Sequence, residues 1–426
     1  MEPTVIIFVL IYLLIVLISA MELIPLSVAA LGGALLTAWF GIQYGVFTYD
    51  QALGFIDFRL LGLLIGTMIV VEVAERSGLF RFLALYAIKF SGGNPAKLFV
   101  SVCIVAALVS MFLSDPTAML LIAAAVVTIT KLLKYDPVPY FLSAAIMINL
   151  GGTSTLIGSV SNMIIGVQAG LNFSDFVNYL TLCEIVLWVL TITTLYFLFK
   201  PRLGERKTLP EYNPSESIKD RKLFNRSIFI LFTLILLFLL LENLGIGPEA
   251  VALGCAILAL VLSRLDPTEI FKNLDWETVF FIAGFMFIVG GLERTHILSD
   301  VSTQLFQIAG GNSSIATVMT LWVTGIASIG VSNIAIALTF TPIISAQTFS
   351  GLNLAAIWSA LILGTNVGGA TLPFSGAVCI MAMGALKREG ISIHFGDFAK
   401  VGFITTLIQL GFSSIYLILR FGLIGT

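Results

Sequence analysis

The stretch NLGGTSTLIGSVSN, residues 149–162, decides how this chain is read, because NVGGATLPFSGAVC at 366–379 answers it. Both lie inside long apolar segments, and both set a Gly pair among Thr, Ser and Asn where a bilayer-crossing helix would be uniformly apolar. Gly beside small hydroxyl residues lets a helix unwind. Unwinding frees carbonyls for a cation and exposes a half-helix N-terminus, whose N–H groups and dipole favour an anion. The surrounding text repeats as well. Asp57 answers Asp275, Glu75-Arg76 answers Glu293-Arg294, and Gly92-Gly93-Asn94 answers Gly310-Gly311-Asn312. Ser110, Ser114 and Asp115 answer Ser328, Ser332 and Asn333, ALGGA (30–34) returns as ALGCA (252–256), and FSDF (173–176) as FGDF (395–398). Two related halves interrupted at matching places are the sequence signature of a secondary transporter.

Composition fixes the broad class. Hydrophobic residues make up 58% of the 426 and charged residues 11%, against about a quarter charged in soluble domains. Apolar stretches near the roughly 20 residues needed to cross hydrocarbon recur along the whole length. The chain reads as an all-α polytopic membrane protein, whose partners are the lipid bilayer and a small ionic solute rather than nucleic acid. Residues 4–21 read as a retained span and not a signal peptide, since Glu2 precedes them without Lys or Arg and no cleavage site follows. The four cysteines, Cys103, Cys183, Cys255 and Cys379, stand singly in apolar segments without CxxC spacing or a nearby His. Disulfides, a metal site and a resident cofactor are therefore not expected.

One stretch breaks the apolar pattern. Residues 200–226, KPRLGERKTLPEYNPSESIKDRKLFNR, concentrate Lys and Arg and form the linker between a first repeat (1–199) and a second (227–426). Excess Lys and Arg marks a cytoplasmic loop. Each half parses into five spans and one re-entrant hairpin. The spans are 4–21, 24–42, 58–75, 138–170 and 176–199, then 226–243, 248–263, 276–293, 353–386 and 398–421. The hairpins are 95–133 and 311–347, and the broken helices are 138–170 and 353–386. Five crossings is an odd number, so the second half enters from the opposite side and the repeats are inverted. With the linker cytoplasmic, both termini fall outside, and of the 22 Lys and Arg only Arg59, Arg294 and Arg420 lie on the outer face.

The hairpins break at Ser114-Asp115-Pro116-Thr117 and at Ser332-Asn333. Pro116 removes a backbone donor, and Ser and Asn or Asp compete for backbone hydrogen bonds. Polar backbone at membrane depth is tolerated only inside protein or beside a wet cavity. Two hairpin tips and two unwound loops are therefore expected to meet at the midplane. The candidate substrate ligands are Ser114, Asp115, Thr117, Asn149, Gly152, Thr153, Ser154, Asn162, Ser332, Asn333, Asn366, Gly369, Thr371 and Ser375. The candidate coupling-ion residues are Asp115, Asn149, Asn333 and Asn366, with Asp115 as the carboxylate that carries a proton or cation. Glu184 reads as structural or interfacial. Glu72, Glu75-Arg76 and Glu293-Arg294 read as span-end ion pairs, and His296 and His394 as loop residues.

At these residues the chain resembles a known group. GGTSTLIGSVSNMIIG (151–166), GFIDFRLLGLLIGTMIVVEVAERSGLF (54–80), DPVP (136–139) and GLNFSDF (170–176) are similar to the arsenite permease and sodium/proton antiporter-like (ArsB/NhaD) permeases of the ion transporter superfamily. GTNVGGATLPFSGAV (364–378) and KREGISIHFGDFAKVG (387–402) fit the same pattern. SMFLSDPTA (110–118), SNIAIALTFTPI (332–343) and MELIPL (21–26) look like segments of the related divalent-anion:sodium symporters. The chain departs from the antiporter pattern where Ser159, Val160 and Ser161 replace an acid and prolines, and where Cys379 stands at the place of an Asn. The resemblance implies two opposed hairpins, a mobile transport domain moving elevator-fashion, a homodimeric scaffold and H+ or Na+ as coupling ion. The leading expectation is an ion-coupled carrier of a small inorganic or oxyanionic solute such as arsenite. The alternatives are a Na+/H+ antiporter and a sodium-coupled di- or tricarboxylate transporter. HExxH and GxSxG motifs are absent from the sequence, so an enzyme is not expected.

Overall fold

The computed structural model describes residues 3–422 apart from 22–23, 114, 208–212, 219, 242–243, 347–350, 374–376, 389 and 392. Ten α-helices precede the linker: α1 (Pro3–Met21), α2 (Leu26–Gln43), α3 (Tyr49–Leu53), α4 (Phe58–Arg76), α5 (Leu79–Ser91), α6 (Pro95–Ser110), α7 (Asp115–Leu133), α8 (Val138–Gly151), α9 (Val160–Ala169) and α10 (Phe173–Phe199). Ten follow in the same order: α11 (Arg221–Leu241), α12 (Pro248–Ser263), α13 (Pro267–Lys272), α14 (Trp276–Arg294), α15 (Ile297–Ile308), α16 (Ser313–Ala327), α17 (Asn333–Ser345), α18 (Leu354–Gly368), α19 (Ala377–Arg388) and α20 (Phe395–Gly422). No strand occurs among the described residues. Among the described residues, six helices are long and apolar enough to cross a bilayer: Leu26–Gln43, Tyr49–Arg76, Phe173–Arg202, Arg221–Leu241, Trp276–Arg294 and Phe395–Gly422.

Eight of the other helices come in consecutive pairs. The hairpin 95–133 is α6 and α7, and 311–347 contains α16 and α17. The segment 138–170 is α8 and α9, and 353–386 is α18 and α19. A helix of 14 residues such as α8 rises about 21 Å, short of the roughly 30 Å of hydrocarbon.

The helices pack as two groups that meet where α4 touches α9 and α14 touches α17. In one, α2 runs along α14 and α4 along α12, so each pairing joins the two halves. Glycine makes these crossings close: a methyl on Gly66 would lie 2.7 Å from the Ala252 carbonyl carbon, and one on Gly284 2.7 Å from that of Ala30. Small residues are what allow helices to associate where lipid supplies no hydrophobic drive. ALGGA and ALGCA thus make the same contact twice. In the other group, α6 lies on α8 and α16 on α18. Gly151 sits on the Ala107 carbonyl and Gly368 on that of Gly325, leaving no room for a side chain at either. Each hairpin's second arm packs on the broken helix of the opposite half, α7 on α19 and α17 on α9. Helices α10 and α20 close this group, with Gln409 Nε2 donating to Thr191 Oγ1 at 2.9 Å and Tyr416 Oη to the Tyr179 carbonyl at 2.7 Å.

Helices α5 and α15 connect the two groups, and the sequence parse passed over both. They are amphipathic: Phe80, Ala84 and Ile88 are buried while Leu83, Tyr86 and Phe90 face outward. Such a helix carries too few apolar residues to read as a span but suits a bilayer surface. Each starts after a left-handed residue, Gly78 and its equivalent His296, so His296 caps a helix rather than lying in an open loop. Glu184 was expected as structural or interfacial; it is buried on α10, with Oε1 accepting from Trp188 Nε1 at 3.0 Å. All four cysteines are free and buried.

Candidate functional site

Between the two groups lies a cavity of about 230 Å³, and all four polar interruptions reach its wall. The first hairpin contributes Asp115 and Thr117, and the second Gly330, Ser332, Asn333 and Ile334. The first broken helix contributes Asn149 and Ile157–Val160, and the second Gly369. Helices α4 and α14 complete the wall with Thr67, Glu72, Glu75 and Thr278.

Among the described residues, three N-termini of the hairpins and broken helices open here. Ser159 precedes α9 in extended conformation, its hydroxyl paired with Ser161 Oγ at 2.9 Å and not with its own helix. Ser332 precedes α17, likewise without a side-chain bond to that helix. The first N–H groups of α9 and α17 therefore stay available, and the helix dipole makes both ends attractive to negative charge. The third N-terminus, α7, carries its own carboxyl group, that of Asp115, in the first turn. No Lys, Arg or His lines the cavity among the described residues, whereas Asp115, Glu72, Glu75 and Asp275 do. Positive potential comes from backbone, and negative potential from side chains.

The expected ligands divide accordingly. Asp115, Thr117, Asn149, Ser332, Asn333 and Gly369 lie on the wall. Asn162, Thr153, Asn366 and Thr371 do not: they are buried behind it and tied to protein. Asn162 Nδ2 lies 2.8 Å from the Gly152 carbonyl, 3.3 Å from that of Thr153 and 2.8 Å from that of Thr155. Its Oδ1 accepts from Asn366 Nδ2 at 2.8 Å. Thr153 Oγ1 donates to the Leu150 carbonyl at 2.7 Å, and Thr371 bonds Thr406 Oγ1 at 2.8 Å. Carbonyls freed by a break must be satisfied internally at membrane depth, and these side chains do it. Gly152 packs on Gly158, and Ser154 is buried against Glu184. Ser114 and Ser375 lie outside the described residues.

Sequence reading missed Glu72 and Glu75 as cavity residues. The span-end ion pair is present, Arg76 Nε to Glu72 Oε1 at 2.7 Å, and Asn273 Nδ2 adds a bond to the same oxygen at 3.0 Å. The i, i+4 spacing of Glu72 and Arg76 accounts for the pair but cannot show that α13 folds back to place Asn273 and Asp275 at the cavity mouth. That mouth lies at the linker end: Ser217 abuts Gly78 just beyond α4, and the Lys207 N–H donates to the Gly93 carbonyl at 3.1 Å.

Comparison with known proteins matches this architecture. Over its whole length the chain is similar in fold to the YdaH transporter of Alcanivorax borkumensis (TM-score 0.63, 16% identity, 98% of each chain covered). It is equally similar to MtrF of Neisseria gonorrhoeae, described as one of a class of antimetabolite efflux pumps (TM-score 0.63, 14% identity, 98% and 95% covered). In sequence it is 30% identical over 404 residues to a 46 kDa membrane protein of Mycobacterium leprae, covering 93% of this chain and 94% of that one. Residues 12–364 match the citrate transporter family model, CitMHS. The chain is a membrane transporter belonging to the CitMHS citrate transporter family.

Proposed function

We propose that the protein is an ion-coupled secondary transporter of a citrate-like carboxylate, bound in the cavity between the hairpin tips. The observation that carries this reading is the cavity's split polarity, with free helix N-termini of α9 and α17 on one side and carboxylates on the other. Carboxylate groups of the substrate take the N–H groups of those helix ends and the side chains of Asn149, Ser332 and Asn333. A polyanion in a cavity whose described lining holds no Lys, Arg or His needs its charge neutralised. Protons, Na+ or a chelated divalent cation, held by Asp115, supply that neutralisation and couple the movement. Arsenite, the leading solute of the sequence reading, gains no support from the matched family model, and the carboxylate alternative takes its place.

In this reading the two halves are inverted repeats. The α2–α14 and α4–α12 pairs act as scaffold, and hairpins and broken helices move past them elevator-fashion, with α5 and α15 as connecting arms. The linker is cytoplasmic, the termini are outside, and the cavity is open inward, since its mouth lies at the linker end. The test is uptake of labelled citrate, succinate and arsenite into proteoliposomes under imposed proton or Na+ gradients, with and without Mg2+. Carboxylate uptake that needs a cation is expected. Arsenite flux without carboxylate flux would overturn the substrate, and carboxylate flux indifferent to every cation would overturn the coupling.

A further inference from the structure

The two halves share the Asn and the Gly pair that open the break in their broken helices, and differ at the Asn that closes it. Asn149 on α8 matches Asn366 on α18, and Gly152 matches Gly369, but Asn162 on α9 is matched by Cys379 on α19. Two hydrogen bonds recur despite that exchange. Asn149 Nδ2 donates to the Ala145 carbonyl at 3.3 Å, as Asn366 Nδ2 does to the Ile362 carbonyl at 2.8 Å. Cys379 Sγ lies 3.8 Å from the Gly369 carbonyl, as Asn162 Nδ2 lies 2.8 Å from that of Gly152. The side chain at 379 therefore points where that of Asn162 points.

The third bond does not recur. Asn366 Nδ2 reaches Asn162 Oδ1 at 2.8 Å across the interface between the halves. Its counterpart would run from Asn149 to a carboxamide at 379, and a thiol has no such oxygen. The consequence appears on the wall: Asn149 faces the cavity and Asn366 does not. Gly369 completes the arrangement, since even a methyl there would come within 3.2 Å of Asn149 Oδ1.

We infer that the thiol at position 379 releases Asn149 from a pairing its twin cannot escape, and that the released carboxamide donates Nδ2–H to the substrate's carboxylate. Cys379 then determines specificity without touching the substrate, and the site is asymmetric: one Asn binds and the other braces. This rests on the carboxylate reading above, so the test needs one readout without substrate.

Cys379→Asn, Asn149→Ala and the double variant are compared in two measurements: the thermal midpoint of the purified protein without substrate, and KM for labelled citrate uptake into proteoliposomes. Cys379→Asn raises the midpoint in the natural background and not beside Asn149→Ala, because the new partner is Asn149. KM rises about tenfold, the equivalent of one hydrogen bond to a charged group, in either single variant, and the double variant adds nothing. Stabilisation that persists without Asn149, or an unchanged KM in Asn149→Ala, overturns the inference. If Cys379→Asn does not fold, KM of Asn149→Ala alone decides. If the natural protein takes up no carboxylate, the carboxylate reading falls, while the midpoints still show whether position 379 controls Asn149.

Discussion

Residues of one chemical type do two jobs in this site. Asn149 and Asn333 lie on the cavity wall, whereas Asn162 and Asn366 are 0% and 2% exposed and bonded to carbonyls or to each other. Asn162→Ala removes two N–H donors shared among three loop carbonyls and the acceptor of Asn366 Nδ2; at about 1 kcal/mol for each bond it is expected to destabilise the protein by roughly 2–3 kcal/mol, seen as a lowered thermal midpoint. Asp115→Asn makes the opposite kind of change. It removes an ionisable group from the cavity without changing side-chain size, so the midpoint is expected to hold while cation-driven uptake in proteoliposomes collapses. Residue type in the sequence marked all of these positions as polar where a span should be apolar, and the structure gathers the described ones into one region. It did not separate cavity wall from brace, because that depends on which helix face turns toward the cavity, and a break resets the helical phase. Glu72 was hidden for a related reason: its i, i+4 partner Arg76 gave it a sufficient local account.

A broken helix turns backbone N–H groups toward the cavity, and the proposal that substrate uses them is testable where a side chain is incidental. Val160 is the first residue of α9, and Ser159 before it has φ −145° and ψ 145°. Proline is tolerated at a first helical position and asks for an extended residue before it. Val160→Pro should therefore keep the fold and the midpoint but delete one N–H from the anion end, raising KM for citrate about tenfold. A KM unchanged beside an intact fold would mean that substrate does not use the α9 terminus. The scaffold crossings obey different physics. Gly66→Leu must drive α4 from the Ala252–Leu253 backbone; overpacking of this kind costs about 1–3 kcal/mol, and the thermal midpoint should fall. The hairpins and breaks were legible because a lone Pro or Gly pair punctuates an apolar run. Helices α5 and α15 were not, since hydropathy registers spans and passes over a helix that buries one face only.

At the scale of the molecule, the repeated words of the sequence led to the expectation that the polar interruptions converge, while the share of the wall that α4 and α14 supply was not legible, because no local pattern shows which apolar helix faces a void. The cavity meets both groups of helices, α4 and α14 on one side and hairpins and breaks on the other. Movement of one group past the other would carry its contents, and an inward-open state predicts that a thiol introduced at Ser332 reacts with water-soluble reagents from the linker side. Added citrate should slow that reaction. The most direct test of the whole account is a structure of the protein with citrate and its coupling cation bound. Density for the carboxylate between Asn149, Ser332, Asn333 and the start of α9, with the cation beside Asp115, is the result expected here. Citrate found away from the hairpin tips, or a cavity left empty at saturating citrate, would contradict it.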